Sequence, residues 1–522
     1  MDATTLTPDS PLPDDVPALV TLVRQLLALV AQLRAENAEL KEKLDRALKH
    51  RFGQRSERQR IGPAQKKSKP AKARPHGRAA LPEHLERRCV IHDLSEAEKL
   101  CPCCGEPRVC IGEQTAEQLD IEPVKFFVRR TIKKTYACRL CNPDSVPPEQ
   151  RIETAGPAQV GPIAKGLCGP GLLAHVITAK FADHTPLNRL AGQLARSGVH
   201  IARSTLGDWL SAATHLLTPL VLLMQQRLLH SRVIHGDDTN VKLRVLGLAK
   251  TKKAHLWAYI GDADFPYVVF DFTTDYTADG PEKFLVGYKG YLQADALAQY
   301  EGLYSDELKH VCCGAHARRK FVAALEGGDV RARGAVELFG KLYAIERQLP
   351  ALLGPSDDPT VQQERRQREE QRQQIRQEQA VPILEELKKW LDEQKPKALP
   401  KSALGQAITY ALNNWEALKR YCERGYLAID NNLSERTLRA IALGRNNWMA
   451  LGGETGGKTA AVLYSVVLSC KHLGIDPFCY LREALMGLFA LGQEPTAEQL
   501  SAWLPDRWLL RQPIVVPVKA AS

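Results

Sequence analysis

Two sets of residues in this 522-residue chain are spaced for chemistry, one of sulfur and one of oxygen. Cys101-Pro-Cys-Cys104-Gly and Cys138-Arg-Leu-Cys141 are two Cys-x-x-Cys pairs, and four thiolates from such pairs can close a tetrahedron around zinc. One structural zinc ion on Cys101, Cys104, Cys138 and Cys141 is therefore expected, with a buried thiol cluster as the alternative; Cys103 and Cys110 are left over. Between the pairs, QLDIEPVKFFVRRTIKKTYAC alternates like two strands of a ribbon. The oxygen set begins with Asp237 and Asp295, which close the β-like runs RVIHGDD and GYLQADA, so that their carboxylates would face one another if those strands are neighbours.

The elements that must position these acids start at Ser231, where a period near 3.6 gives way to short β-like runs. RVIHGDD, NVKLRVL, HLWAYIG and YVVFDF precede helix PEKFLVG, strand GYLQADA, another helix, strand HVCCG and helix HARRKFVAAL. Three strands, a helix, then strand, helix, strand, helix is the order of a ribonuclease H-like core. Before it, after a Gly/Pro-rich joint, LNRLAGQLAR, SGVHIA and the run from Arg203 to Trp209 have the layout of a helix-turn-helix, with Ser204 as a cap of its second helix. DNA contact and plain helix packing are both open for that pair.

The N-terminal part contains a seven-residue repeat. Leu19, Leu26, Leu33 and Leu40 fill one position, and Val16, Val23, Val30, Asn37 and Leu44 another, which is the a/d seam of a parallel coiled coil. A lone Asn37 among Val and Leu favours a dimer in register; an amphipathic helix folded onto its own domain is the alternative. RFGQRSERQRIGPAQKKSKPAKARPHGRAALP follows, with almost nothing to bury, and reads as a basic linker able to track phosphates or merely to space the domains. The whole chain carries a net charge of +11, so a polyanion is the expected partner. No apolar run is long enough to span a bilayer and the acidic start MDATTLTPDSPLPDD has no signal-peptide pattern, so a cytoplasmic, nucleoid-associated protein is expected.

HGDDTNV, GYLQADALAQY, CCGAHARRKF, AIDNNLSERTLRAIALGRNNW and GIDPFCYLREAL together resemble the DDE transposases of the insertion sequence 66 family, and the likeness runs from the coiled coil and FGQRSE to the C-terminal helices. Asp238 and Asn240 stand where that family usually has Glu and Pro, and Gly453 near a usual Ser. The resemblance implies that Asp237, Asp295 and Glu435 are the catalytic triad and the magnesium ligands. It also implies that residues from about 326 to 425 are a helical insertion. The polar, charge-laced run QQERRQREEQRQQIRQEQAVPILEELKKWLDEQ agrees with that reading. Phosphodiester cleavage by such a triad uses two Mg2+ or Mn2+ ions, one lowering the pKa of the attacking hydroxyl and the other stabilising the leaving oxygen. Glu435 also sits three residues after Asn432, the spacing of a capping box.

Other residues are candidates for supporting or DNA-binding roles: His316, Arg318 and Arg319 at a helix start, Asn432, Arg436 and Arg439 around the glutamate, Arg203, and Lys458. Cys313 with His316 is a possible metal pair, with burial of Cys312 and Cys313 as the alternative. The run from Gly452 to Thr459 matches a phosphate-loop pattern, yet no long strand precedes it and helices follow, so ATP is not expected.

The expected organisation is a multidomain α+β protein. It comprises a coiled coil at 16–50, a basic linker at 51–85, a zinc ribbon at 86–150 and a helical DNA-binding region at 165–228. A ribonuclease H-like core at 229–325 and 426–460, a helical insertion at 326–425 and a helical tail at 461–522 complete it. The expected function is recognition of terminal inverted repeats, cleavage and strand transfer, by a homodimer or higher oligomer, with small element-encoded accessory proteins suggested by the resemblance. A non-catalytic DNA-binding regulator and a host nuclease of the same fold are the alternatives.

Overall fold

A mixed β-sheet forms where the apolar period changes near Ser231. The computed structural model describes residues 15–52, 126, 135–137, 152–154, 161–163, 168–354 and 356–511. Two units divide the chain, Met1–Gly53 with Lys133–Ser522, and Gln54–Ile132; the account below concerns the first. The four paired cysteines and nearly all of the basic linker lie outside the described residues.

A helix α1 (Val16–Phe52) covers the heptad segment. Strands β1 (Thr135–Ala137) and β2 (Ile152–Thr154) pair antiparallel, so the described ladder joins the segment before Cys138 to one after Cys141. Helices α2 (Pro170–Phe181), α3 (Leu187–Arg196) and α4 (Arg203–Leu228) follow. Ser204 does not cap α4: the cap position is Ala202, with no side-chain bond, and Ser204 lies inside the first turn. Helix α4 is the one described helix long and apolar enough to cross a membrane, yet Leu206, Leu210, Leu217, Leu220 and Met224 bury its apolar side in the core shared with the sheet.

The main sheet contains β3 (Val233–Arg244), β4 (Lys252–Ile260), β5 (Val268–Thr273), β6 (Gly290–Ala294), β7 (Leu308–Cys312) and the two-residue β8 (Leu451–Gly452). Its order is β5-β4-β3-β6-β7, antiparallel from β5 to β3 and parallel from β3 to β7, with β8 pairing in parallel to the far end of β3. RVIHGDD and NVKLRVL are one strand rather than two, because Thr239, Val241 and Leu243 keep the alternation through Asp237 and pair with β4 throughout. Asp237 consequently sits in mid-strand, not at a strand end.

Short helices α5 (Asp279–Phe284) and α6 (Ala298–Glu301) flank β6, and α7 (Gly314–Glu326) follows β7. Beyond it come α8 (Arg333–Glu346), α9 (Pro359–Ile375), a π-turn at Arg376–Ala380, α10 (Val381–Gln394), α11 (Ala403–Asn413) and α12 (Trp415–Lys419). No strand occurs in this segment. It has its own apolar cluster, built with β6, β7 and α7 and including Val311, Phe321, Phe339, Leu387 and Ile408. A second cluster joins α2 to α4, the sheet, α13 (Asn432–Trp448), α14 (Gly453–His472) and α15 (Pro477–Ala490). Helix α14 runs across the boundary drawn at 460, and α16 (Ala497–Ser501) and α17 (Pro505–Arg511) end the described chain.

Charged contacts fix the insertion to the sheet. Arg232, beside β3, forms a two-point pair with Glu369 of α9 at 2.8 and 2.9 Å. The fully buried Arg376 spans Glu346 at 2.8 Å and the carbonyls of Tyr421 and Arg424 at 2.9 and 3.0 Å. A guanidinium buried this way holds its place because all three of its nitrogens are answered, and removing Glu346 would leave an unpaired buried charge.

Candidate active site

Register places the two aspartates level. The last parallel pair between β3 and β6 is His235 with Gln293, and Asp237 and Asp295 each lie two residues beyond it, on the same face by the pleat. Beyond His235 only the antiparallel ladder to β4 and the short β8 continue on β3, so the sheet opens beside both acids.

The pair beneath the aspartates holds the third acid in place. Gln293 donates to the carbonyl of Ala428 at 2.6 Å and accepts from its N–H at 3.2 Å. The Asn431 side-chain amide donates to the Gly236 carbonyl at 2.9 Å, while its oxygen accepts from Ser434 at 3.0 Å and faces His235 Nδ1 at 3.1 Å. Burial pushes His235 down to about 4, so it is neutral and its Nδ1–H is the donor to Asn431. These bonds fix the entry of α13 against β3. Sequence reasoning missed Gln293, His235 and Asn431; the first two were signalled only by their place two residues before each aspartate.

Glu435 does not serve a capping box, since α13 begins at Asn432 behind an Asn431 whose side chain makes no cap bond. Asn432 instead holds Asp430, with bonds at 3.1 Å from its N–H and 2.6 Å from its amide. Arg319 donates through Nη2 to both oxygens of the Glu435 carboxylate, each at 3.4 Å, and Glu435 Oε1 lies 3.6 Å from His316 Nδ1. The other ring nitrogen of His316 is 3.5 Å from Asp295 Oδ2, so this imidazole stands between two of the three acids. Asp295 also accepts from the hydroxyl of Tyr410, a residue of α11 that sequence reasoning did not single out, and from the N–H of Ala296 at 2.8 Å.

Asp237 shows how crowded the acids are. Burial first, then the negative charges of Asp238, Glu435 and Asp295, lift its carboxyl to about 7 against the opposing N–H of Asp238. A half-buried carboxylate pressed by like charges, with Asp295 and Glu435 nearby, belongs to a donor set that fits a hard divalent cation. Cys313, His316 and Glu435 also have ligand atoms within 4.8 Å of one another. Burial pushes the Cys313 thiol up to about 12 and its sulfur accepts the Asn431 N–H at 3.2 Å, so Cys313 serves as an acceptor in the packed interior. Cys312 is buried as well.

Of the supporting candidates, Arg319 and His316 reach the acids, Arg318 lies half-buried on the same helix, and Arg436 and Arg439 are exposed on α13. Arg203 is the exposed first residue of α4. Lys458 pairs with Glu454 one turn away at 2.9 Å. The phosphate-loop match has a packing explanation: a Cβ at Gly457 would stand 2.3 Å from the Phe272 ring, so glycine lets α14 lie against β5.

The open mixed sheet thus brings carboxylates from β3, from the end of β6 and from α13 to one place, and comparison with known proteins gives the family. Residues 165–459 match the model described as Transposase IS66 family, and residues 98–142, which hold all four paired cysteines, match the zinc-finger binding domain of transposase IS66. The chain belongs to the IS66 transposase family. Among its relatives, uncharacterized protein y4jD of Sinorhizobium fredii (strain NBRC 101917 / NGR234) is 33% identical over 443 residues, covering 82% of this chain and 81% of the relative. Uncharacterized protein y4hP of the same strain is 30% identical over 433 residues, 78% of this chain and 73% of the relative.

Proposed function

We propose that this protein binds the terminal inverted repeats of a mobile element and catalyses divalent-metal-dependent cleavage and strand transfer, with Asp237, Asp295 and Glu435 as metal ligands. The level placement of Asp237 and Asp295 beside the Glu-bearing helix is the observation that carries this reading. The sheet order, with β3 at its centre, supports a ribonuclease H-like core. Two Mg2+ or Mn2+ ions held there would activate the attacking hydroxyl and stabilise the leaving oxygen.

The chain's own residues then divide the work. Asp237 is held ready by the Asp238 N–H at 2.8 Å, and Tyr410 and Ala296 orient Asp295. His316 and Arg319 keep the Glu435 side chain turned toward the aspartates, and Arg319 supplies positive charge for a DNA phosphate. One structural zinc on Cys101, Cys104, Cys138 and Cys141 is part of the proposal, and metal analysis of the full chain should find it lost when Cys101 and Cys104 are replaced by Ser. Val16, Val23, Leu26, Val30, Leu33 and Leu40 are exposed along α1, which supports a parallel coiled-coil dimer through that seam.

The test is nicking of a labelled, end-containing duplex with added magnesium, beside a gel shift on the same DNA. Asp237→Asn, Asp295→Asn and Glu435→Gln should each lose cleavage by about a thousandfold while binding persists, as removal of metal-centred stabilisation predicts. Near-native nicking by Glu435→Gln would remove that residue from the triad, and nicking by all three variants would sink the mechanism.

A further inference from the structure

On the Asp238 side of β3 lies a second cleft of about 530 Å³, lined among others by Lys252, Lys253, His255, Tyr276 and Arg445. From this cleft we infer a site for one unpaired nucleotide of a DNA strand, its base on the Tyr276 ring and its phosphate on the lysines and Arg445. The inference rests on the transposase reading above and adds to it where a strand lies next to the acids.

Tyr276 is built as a platform. One face of its ring lies on His255, with centroids 4.1 Å apart and planes 17° from parallel, and also over Trp257 at 5.6 Å and 19°. Its hydroxyl donates to Asp238 Oδ1 at 3.1 Å, and the other oxygen of Asp238 meets His255 Nδ1 at 2.7 Å. The ring is therefore fixed before any ligand arrives, yet Tyr276 remains 42% exposed. With one face covered, that exposure is available on the other, where a planar base can stack. An exposed aromatic ring that is already immobilised takes a base at little cost in side-chain freedom, and stacking tolerates any base because every base has a π-face.

Cations line the same cleft as this ring. Lys252 and Lys253 are exposed at the start of β4, and Arg445 is anchored by bonds to Thr239 Oγ1 at 2.9 Å and the Asn240 carbonyl at 2.7 Å. The cleft also adjoins the acids. Gln299, four residues after Asp295, donates to the Tyr276 carbonyl at 3.3 Å, and Asp238 follows Asp237 in β3. A strand whose phosphate approaches Asp237 and Asp295 can thus place a neighbouring, unstacked base on Tyr276. Asp275 and Asp238 line the cleft too, and Asp238 is engaged by Tyr276 and His255, which leaves the lysines to face the phosphate.

The test uses the full chain in magnesium-free buffer and a twelve-nucleotide thymidine strand carrying one 5-iododeoxyuridine, a base that cross-links under light to an aromatic ring stacked on it. The expected result is a cross-link mapped to Tyr276, retained in Tyr276→Phe, and competed about tenfold better by unlabelled thymidine strand than by an abasic strand of equal length, as base stacking requires. Cross-links mapped only outside the cleft would overturn the inference, and so would equal competition by the abasic strand. Since neither measurement needs magnesium or cleavage, failure here leaves the carboxylate reading to its own nicking test.

Discussion

Asp237 and Asp238 are adjacent on one strand and have opposite surroundings. Asp238 is answered on both oxygens, by His255 and Tyr276, whereas Asp237 receives one backbone N–H and otherwise faces burial and three negative charges. Satisfied acids hold structure in place. An acid left pressed against others by the fold is one whose partner comes from outside, and the pleat of a single strand is enough to separate the two roles.

The sharpest way to break this comparison is to neutralise each acid in turn. Asp237→Asn should lose magnesium-dependent nicking by about a thousandfold, while Asp238→Asn, which loosens the Tyr276 and His255 contacts and removes one charge beside Asp237, should stay within about tenfold of native. Equal loss in both would mean that the two faces of β3 do not differ in function.

A second comparison uses pH. The folded chain keeps a proton on Asp237 up to about 7, whereas the unfolded chain releases it near 3.8, so the contribution of Asp237 to metal-free stability is full below about 3.8 and is lost as pH rises through about 7. A divalent ion that needs the ionised carboxylate should then raise the melting temperature by about 5 °C or more at pH 8 and by less than about 2 °C at pH 5. Asp237→Asn should flatten the metal-free pH dependence. A melting temperature indifferent to magnesium at pH 8 would contradict the metal reading.

The smallest expected effect comes from the insertion. Tyr410→Phe removes one hydroxyl from Asp295 and leaves the ring in place, which for a hydrogen bond to a charged group is about 1.5 to 3 kcal/mol at most. Nicking should fall about tenfold with DNA binding unchanged. A native rate would show that Ala296 and His316 suffice to orient Asp295.

What could be read from the chain alone follows the reach of the interactions. The strand runs that lead to Asp237 and Asp295 were legible because alternation marks strands locally, and the helical character of 326–425 because its composition admits no strand. The continuous β3 was not, since a turn-like HGDDTN hides a strand that only its ladder with β4 holds straight. Tyr410 could not be read at all: it meets Asp295 across 115 positions, and nothing around ALGQAITYALN marks one tyrosine as different from a packed one. Ser204 failed as a cap for a local reason, the cap position falling two residues earlier at Ala202.

The bond from the Asn431 amide to the Gly236 carbonyl joins residues 195 positions apart. Closing so long a loop is slow, and the contact cannot exist until the ribosome has released α13. A nascent chain therefore carries both aspartates before Glu435 has been made, and the three acids come together only when α13 docks on β3. On the proposed function, competence to cleave would arrive late and all at once, with the docking of the first turn of α13.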